Sequence, residues 1–582
     1  MTHDRDVKRA GAAMFDAATE AALRQHGHLR KLRRGERLIA AGDPAKALYL
    51  VTLGRFHVIA GGRVIAEISE GQPIGEIAFF TGGVRTADVV AARTAEVICL
   101  DRDGWEEAAR QTDVPSRVLA SLAARLAEAV PHVPRLAPAP PGIVVLVPAG
   151  DRPVPGEFAE PFARGLFGKA PLRAADLPAE LRDDAEGIAR WFHTREAEGG
   201  GQTIWIEDME LTPFASAALS ESDAAILIGD ADADPRILPL EAEALRLHRP
   251  EARHLALRRR SGTAITGTAR WLEGRDPHMH HQIAGEADLA RAARLVGGRG
   301  LGLVLAGGGA LCCAHLGVAR ALDEAGVEID TYAGTSGGAA MAIALASGLS
   351  PSEVLRRSEE IFVWSAALKK LTVPIHALLD HHPFDASLKH HYGSVQLEDL
   401  PVPVLAVSAS LTRNDVHLHR TGPAWMAVRA SGSLPGLLPP VVTEDGEILI
   451  DGGVIDNLPV GPLQAIKLGP NLVIGLSQPT EWRVTSSYDR LPPRFRLARD
   501  LALRRHDPAD FPRIMQILQK GMGITSRRAM ATASMRGNLL LVPPIPPHLG
   551  LMDWHAGAEL EAIGYAHMRE QIAAGVLDEL TS

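Results

Sequence analysis

The chain has 582 residues, of which 46% are hydrophobic and 23% charged, ordinary values for a soluble globular protein and far from those of a disordered or collagen-like one. Lys and Arg total 61 against 70 Asp and Glu, a formal charge of −9, which excludes a nucleic-acid binder that relies on global positive charge. The three cysteines, Cys99 and the neighbours Cys312 and Cys313, exclude a secreted disulfide framework and favour a reducing, cytoplasmic setting.

The N-terminal MTHDRDVKRAG lacks the apolar core of a signal peptide, and no run approaches the ~18 apolar residues of a membrane span. Membrane association is therefore expected only as peripheral contact. Residues 1–130 begin with short strands punctuated by Gly and Asp-Pro turns, among them Gly42 and Gly54. They end in helical spacing over 101–130, which predicts a β-roll followed by helices. Within the roll, GQPIGEIAFFTGGVRTADVVA (71–91) places Gly75-Glu76-Ile77-Ala78 ahead of Arg85 and Thr86. This resembles the phosphate-binding cassette of cyclic-nucleotide-binding domains. The resemblance implies a Glu76 carboxylate on the ribose hydroxyl, an Arg85 guanidinium on the cyclic phosphate, and main-chain N–H groups completing the anion site. Thr86 leaves cAMP and cGMP unseparated, and the alternative is a roll that keeps the fold without a ligand.

Five prolines in 131–142 read as an extended linker. Apolar runs at 142–150 and 223–230, separated by helix-like stretches, predict a middle parallel α/β domain over 143–299 whose role the sequence leaves open. No Walker phosphate loop occurs there.

A C-terminal α/β unit follows over 300–582 and carries the chemistry. The strand LGLVLA runs into Gly307-Gly308-Gly309 and then a helix-like stretch. Converging N–H groups beside a helix start suit an anion, whether ligand phosphate or ester oxyanion, although a plain tight turn looks the same. One βα unit later, Gly334-Thr335-Ser336-Gly337-Gly338 lies between a strand and a small-residue helix, the pattern of a nucleophile elbow. Further on, a hairpin-like TEDGE precedes a strand ending in Asp451-Gly452-Gly453.

These three motifs in order resemble the patatin-like phospholipase family. The resemblance implies a Ser–Asp dyad, with Ser336 as nucleophile, Asp451 as its base, and an oxyanion hole from Gly307, Gly308 and Gly309. A Ser–His–Asp triad drawing on His506, His548, His555 or His567 is the alternative. The family pattern carries a basic residue and a glycine where this chain has Leu311 and Cys312. The lost charge, and a Cβ where φ > 0 would be wanted, predict a shifted oxyanion loop or a weak or dead hydrolase in a nucleotide-responsive binding protein. Cys312 and Cys313 are expected to pack as small hydrophobes.

Taken together, sensor, middle segment and esterase resemble bacterial relatives of neuropathy target esterase over nearly the whole chain, including VLVPAGDRPVP and LVPPIPPHLGLMDWHAGAELEAIGY. That implies hydrolysis of acyl esters of lysophospholipids or phospholipids with no metal cofactor, under cAMP or cGMP regulation. RFRLARDLALRRH (494–506), with Leu497 and Leu501 on one face, is a candidate basic helix for lipid surfaces, or equally a solvated helix on the core. His278, His280, His281 and the pairs His381-His382 and His390-His391 lack a ligand set for metal. Oligomeric state is left open.

Overall fold

The computed structural model describes residues 17–60, 63–111, 118, 140–182, 184–365, 368, 370–476 and 537–577, with isolated positions 493, 495, 499 and 517. Most of the proline-rich stretch 131–142 and of the basic segment 494–506 lies outside the described residues. The chain divides into two compact units, one of residues 1–133, 141–255 and 275–278, the other of 134–140, 256–274 and 279–582.

The first unit opens with a roll of eight strands: β1 His28–Leu32, β2 Arg37–Ile39, β3 Leu48–Leu53, β4 Arg55–Ala60, β5 Arg63–Ser69, β6 Pro73–Ile74, β7 Asp88–Ala91 and β8 Ala95–Leu100. They form two four-stranded sheets, ordered β1-β8-β3-β6 and β2-β7-β4-β5. Apolar residues such as Val51, Phe56, Ile74, Val89 and Val97 close the core between them, on the short strands that the Gly and Asp-Pro turns delimit. Leu23, Phe79 and Trp105 form a second cluster under the helices Ala17–His26 and Arg102–Gln111.

Next come β9 Ile143–Pro148, β10 Gln202–Trp205 and β11 Ala224–Asp230 of the middle layer, in the order β10-β9-β11, followed in the chain by β12 Arg253–Arg258 and by β13 Met279–Ile283 of the second unit. β9 runs parallel to both β10 and β11 and is buried along its whole length, as its unbroken apolar run requires. Roll and middle layer are tied by polar contacts within the first unit. Arg93 pairs with Glu196 (3.1 Å), Thr94 Oγ1 donates to Glu221 (2.6 Å), and Arg34 Nη1 donates to the carbonyl of Leu219 (3.0 Å).

The second unit is built on β14 Gly302–Leu305, β15 Thr331–Thr335, β16 Val404–Ser410, β17 Asp415–His419, β18 Val441–Val442, β19 Ile448–Asp451, β20 Asn471–Ile474 and β21 Asn538–Leu541. Their order is β18-β19-β16-β15-β14-β20-β21, with β17 also paired to β16. β14, β15, β16, β20 and β21 are parallel, whereas β17 and β19 run antiparallel to β16. The helix Cys313–Glu324 packs against Gly557–Ala573 at backbone distance: a Cβ on Gly317 would lie 1.9 Å from Glu561 O, and one on Gly564 1.9 Å from Ala314 O. Both predicted α/β layers and the roll are thus present. Among the described residues no helix is long and apolar enough to cross a membrane.

Candidate active site

β15 ends at Thr335, and the next residue, Ser336, adopts φ 54°, ψ −126° before the helix Gly337–Ala346 begins. A non-glycine residue at positive φ is strained, and the glycines around it permit the turn. A Cβ on Gly334 would lie 2.4 Å from Gly338 O, and one on Gly338 would lie 2.3 Å from Leu305 O. The elbow is held from below, where Ser336 N–H donates to Ser431 Oγ (2.8 Å) and Ser431 Oγ–H donates to the Val407 carbonyl (2.5 Å). Thr335 Oγ1 donates to Asp456 O (2.9 Å).

Asp451 closes β19, opposite Ser408 of β16, and its own N–H donates to Ser433 O (2.9 Å). Its carboxylate is fully buried. One oxygen accepts from Gly453 N–H (2.8 Å), the other from Ser336 Oγ–H (2.7 Å). Burial pushes the Asp451 carboxyl from its ordinary 3.8 up to about 7, against the opposing pull of those two hydrogen bonds. A carboxylate of that basicity on a strained serine hydroxyl can accept its proton near neutral pH.

The glycine loop needs one correction to the sequence expectation. Gly307 N–H donates to Asn457 O (3.1 Å) and Asn457 Nδ2 donates back to Gly307 O (3.0 Å), so the Gly307 amide is committed to holding the loop rather than free for an oxyanion. Neither Gly308 N–H nor Gly309 N–H takes part in the backbone hydrogen bonds that hold the loop, and the Gly308 backbone also reaches the Cys312 thiol. Gly309 N lies 3.3 Å from where a Cβ on Gly337 would stand, beside the start of the elbow helix. Cys312 sits at φ −63° and is fully buried, its Sγ–H donating to Ala306 O (3.4 Å). No positive φ is needed there, so the Cβ that sequence reasoning counted against the loop is accommodated. Burial raises both neighbouring thiols, Cys313 to about 12, which leaves them inert packing groups.

Ser336, Gly308 and Gly309 line the end of a cleft with about 880 Å³ of unfilled space, its open mouth included. Its walls are apolar, among them Met341, Phe362, Leu388, Leu434, Leu438 and Trp554. No histidine lines it among the described residues, and His548, His555 and His567 are absent from its wall; His506 lies outside the described residues.

Residues 303–463 match the model of the patatin-like phospholipase family, and residues 29–112 that of the cyclic nucleotide-binding domain. An NTE family protein of Mycobacterium tuberculosis is 31% identical over 458 residues, covering 75% of this chain and 74% of that one. The chain belongs to the NTE family. Patatin-like phospholipase domain-containing protein 6 of Homo sapiens is 27% identical over 497 residues, 73% of this chain but 36% of that protein. Neuropathy target esterase sws of Drosophila persimilis is 25% identical over 497 residues, covering 74% of this chain and 34% of that protein.

In this NTE-family chain the cassette residues lie in the other unit, on the roll. Gly75 takes φ 80° ahead of the helix Glu76–Thr81, with Glu76 and Ala78 buried and Ile77 exposed. Arg85 is buried, and its guanidinium donates to Gly75 O (2.6 Å) and to Ala47 O. A Cβ at Gly75 would lie 2.1 Å from Arg85 Nη1, which explains the glycine. Thr86 is exposed. His280 is engaged with Glu398 O (2.9 Å), while Asp380, His381 and His382 bring ligand atoms within 4.8 Å of one another. Asp380 there is occupied by His382 (2.7 Å) and Lys370 (3.1 Å).

Sequence reasoning missed Ser431, Asn457 and most of the cleft wall. Asn457 follows Asp451 by six residues in the stretch DGGVIDNLPV (451–460), close enough to the dyad motif to have signalled a role. Ser431, in MAVRASGSLPG, carried none.

Proposed function

We propose that this protein is a serine esterase that hydrolyses acyl esters of lysophospholipids or phospholipids through a Ser336–Asp451 dyad, its domain 1–130 regulating by binding cAMP or cGMP, with a linker 131–142, a middle domain 143–299 and the esterase over 300–582. The supporting observation is the 2.7 Å hydrogen bond from Ser336 Oγ to a fully buried Asp451 at the end of an apolar cleft. As Oγ attacks the ester carbonyl carbon, Asp451 takes its proton. The carbonyl oxygen becomes an oxyanion facing the Gly308 and Gly309 N–H groups, donors typically worth ~3 kcal/mol each. Collapse returns that proton to the leaving alcohol and leaves an acyl group on Ser336, which water, deprotonated by the same carboxylate, then releases. The apolar walls suit the acyl chain of such an ester.

A fluorophosphonate probe should label the wild type and not Ser336→Ala; persistent labelling of the variant would defeat the assignment. For the sensor, a phosphate would draw on the N–H groups of Arg85 beyond those committed to Gly75 and Ala47, and a ribose hydroxyl on Glu76. Calorimetry with cAMP and cGMP should show binding to the wild type and its loss in Arg85→Ala. Equal affinity in the two would contradict a ligand site here.

A further inference from the structure

Lys370 to Asp380 form a hairpin, closed by the bridge of Leu371 to Leu379, by Thr372 N–H on Leu378 O (3.1 Å) and by Asp380 N–H on Lys370 O (2.8 Å). Its return arm is fastened to the cleft wall: Leu378 N–H donates to Gly436 O (2.9 Å) and Leu379 N–H to Leu437 O (3.0 Å). Every residue from Lys370 to His376 is exposed. That includes Leu371, Val373 and Ile375 at 76%, 71% and 77%, with Trp364 at 66%.

A group of large apolar residues this open to water marks a surface that is covered in use. Three features identify what covers it. The hairpin carries a single carboxylate, Asp380 at its base, which is paired with Lys370 (3.1 Å) and His382 (2.7 Å), and its exposed arm 370–376 contains no Asp or Glu to repel a phosphate-bearing surface. Its exposed apolar tip, Val373-Pro374-Ile375, follows Lys370 and lies near in sequence to the exposed Trp364, the residue types that sit well at a bilayer interface. The hairpin is also continuous with the apolar cleft through Leu437, and Met552, another lining residue, is 39% exposed. An acyl chain leaving a bilayer would otherwise cross water at a cost of about 0.8 kcal/mol per methylene.

We infer that hairpin 370–380, together with Trp364, is the element that seats the mouth of the cleft on a phospholipid bilayer. This rests on the esterase function proposed above. The test uses the full chain and vesicles of phosphatidylcholine and phosphatidylglycerol, comparing the wild type with V373D/I375D and with Ile65→Asp, an equally exposed apolar site on the roll (63%). Co-sedimentation and vesicle phospholipid hydrolysis should both fall at least about tenfold in V373D/I375D and stay at wild-type level in Ile65→Asp. Turnover of water-soluble p-nitrophenyl butyrate should be unchanged in all three, which also shows that the variants are folded. Wild-type vesicle binding by V373D/I375D overturns the inference, as does a wild type that cleaves the soluble ester yet binds no vesicles. A hairpin variant that only converts a dimer to a monomer in sedimentation, with vesicle binding intact, assigns the surface to a second copy of the chain instead. Failure of the wild type to cleave either ester refutes the esterase function itself, not merely the docking surface.

Discussion

Asp451→Asn separates the chemistry of this site from its architecture. Asparagine keeps an oxygen to accept from Gly453 N–H and a group of the same size beside Ser336 Oγ, but it holds no proton-accepting charge. Esterase kcat should drop by about 10²–10⁴, the range for loss of a general base. Stability should move the other way. A carboxyl raised from 3.8 to about 7 is neutral in the folded protein and ionised in the unfolded chain between those values. The folded state then holds the extra proton, so wild-type stability declines as pH climbs from about 4 to about 7 and is level beyond. The full span is worth about 4 kcal/mol. The variant has no such titration, so it should be as stable as the wild type near pH 4 and up to about 4 kcal/mol more stable at pH 8. Urea denaturation of both proteins at the two pH values measures the difference directly. A stability difference that does not change with pH, or a variant that retains turnover, would refute the buried-base argument.

In the wild type, kcat/KM for a neutral soluble ester should rise about tenfold per pH unit up to an apparent pKa near 7 and then plateau; a profile flat from pH 5 to 9 would count against Asp451 as base. Ser431→Ala strips the acceptor from Ser336 N–H and the donor from Val407 O. It should cost about 1–3 kcal/mol in denaturant unfolding and lower kcat more than it raises KM. Gly309→Ala places a methyl 2.3 Å from Leu551 O at φ +55° and should cut esterase kcat at least tenfold while circular dichroism stays native. Leu434→Trp narrows the cleft and should lower kcat/KM for a palmitoyl ester at least about tenfold more than for a butyryl ester.

The sequence alone determined whatever depends on local order along the chain. Glycines at 334 and 338 are legible because an elbow that lets Ser336 reach φ 54° tolerates no side chain beside it. The buried strand β9 is legible because a parallel strand covered on both faces shows no alternation. The cyclic nucleotide-binding domain was likewise visible in the spacing of Gly75, Glu76 and Arg85. Tertiary structure decided the rest, since it depends on groups distant in sequence. Only the sheet order puts β19 antiparallel to β16 and thereby brings Asp451 onto Ser336, with burial then setting its basicity. Which glycine amides remain for the proposed oxyanion hole turned on Asn457, 150 residues from Gly307, whose carbonyl claims one amide of three successive glycines. Cys312 was harmless for a reason no sequence shows, a helical φ of −63° where a positive one was expected. The cleft wall, gathered from stretches near 341, 362, 388, 434 and 552, leaves no local pattern, because its residues meet only in the tertiary fold and many of them pack in the core as well.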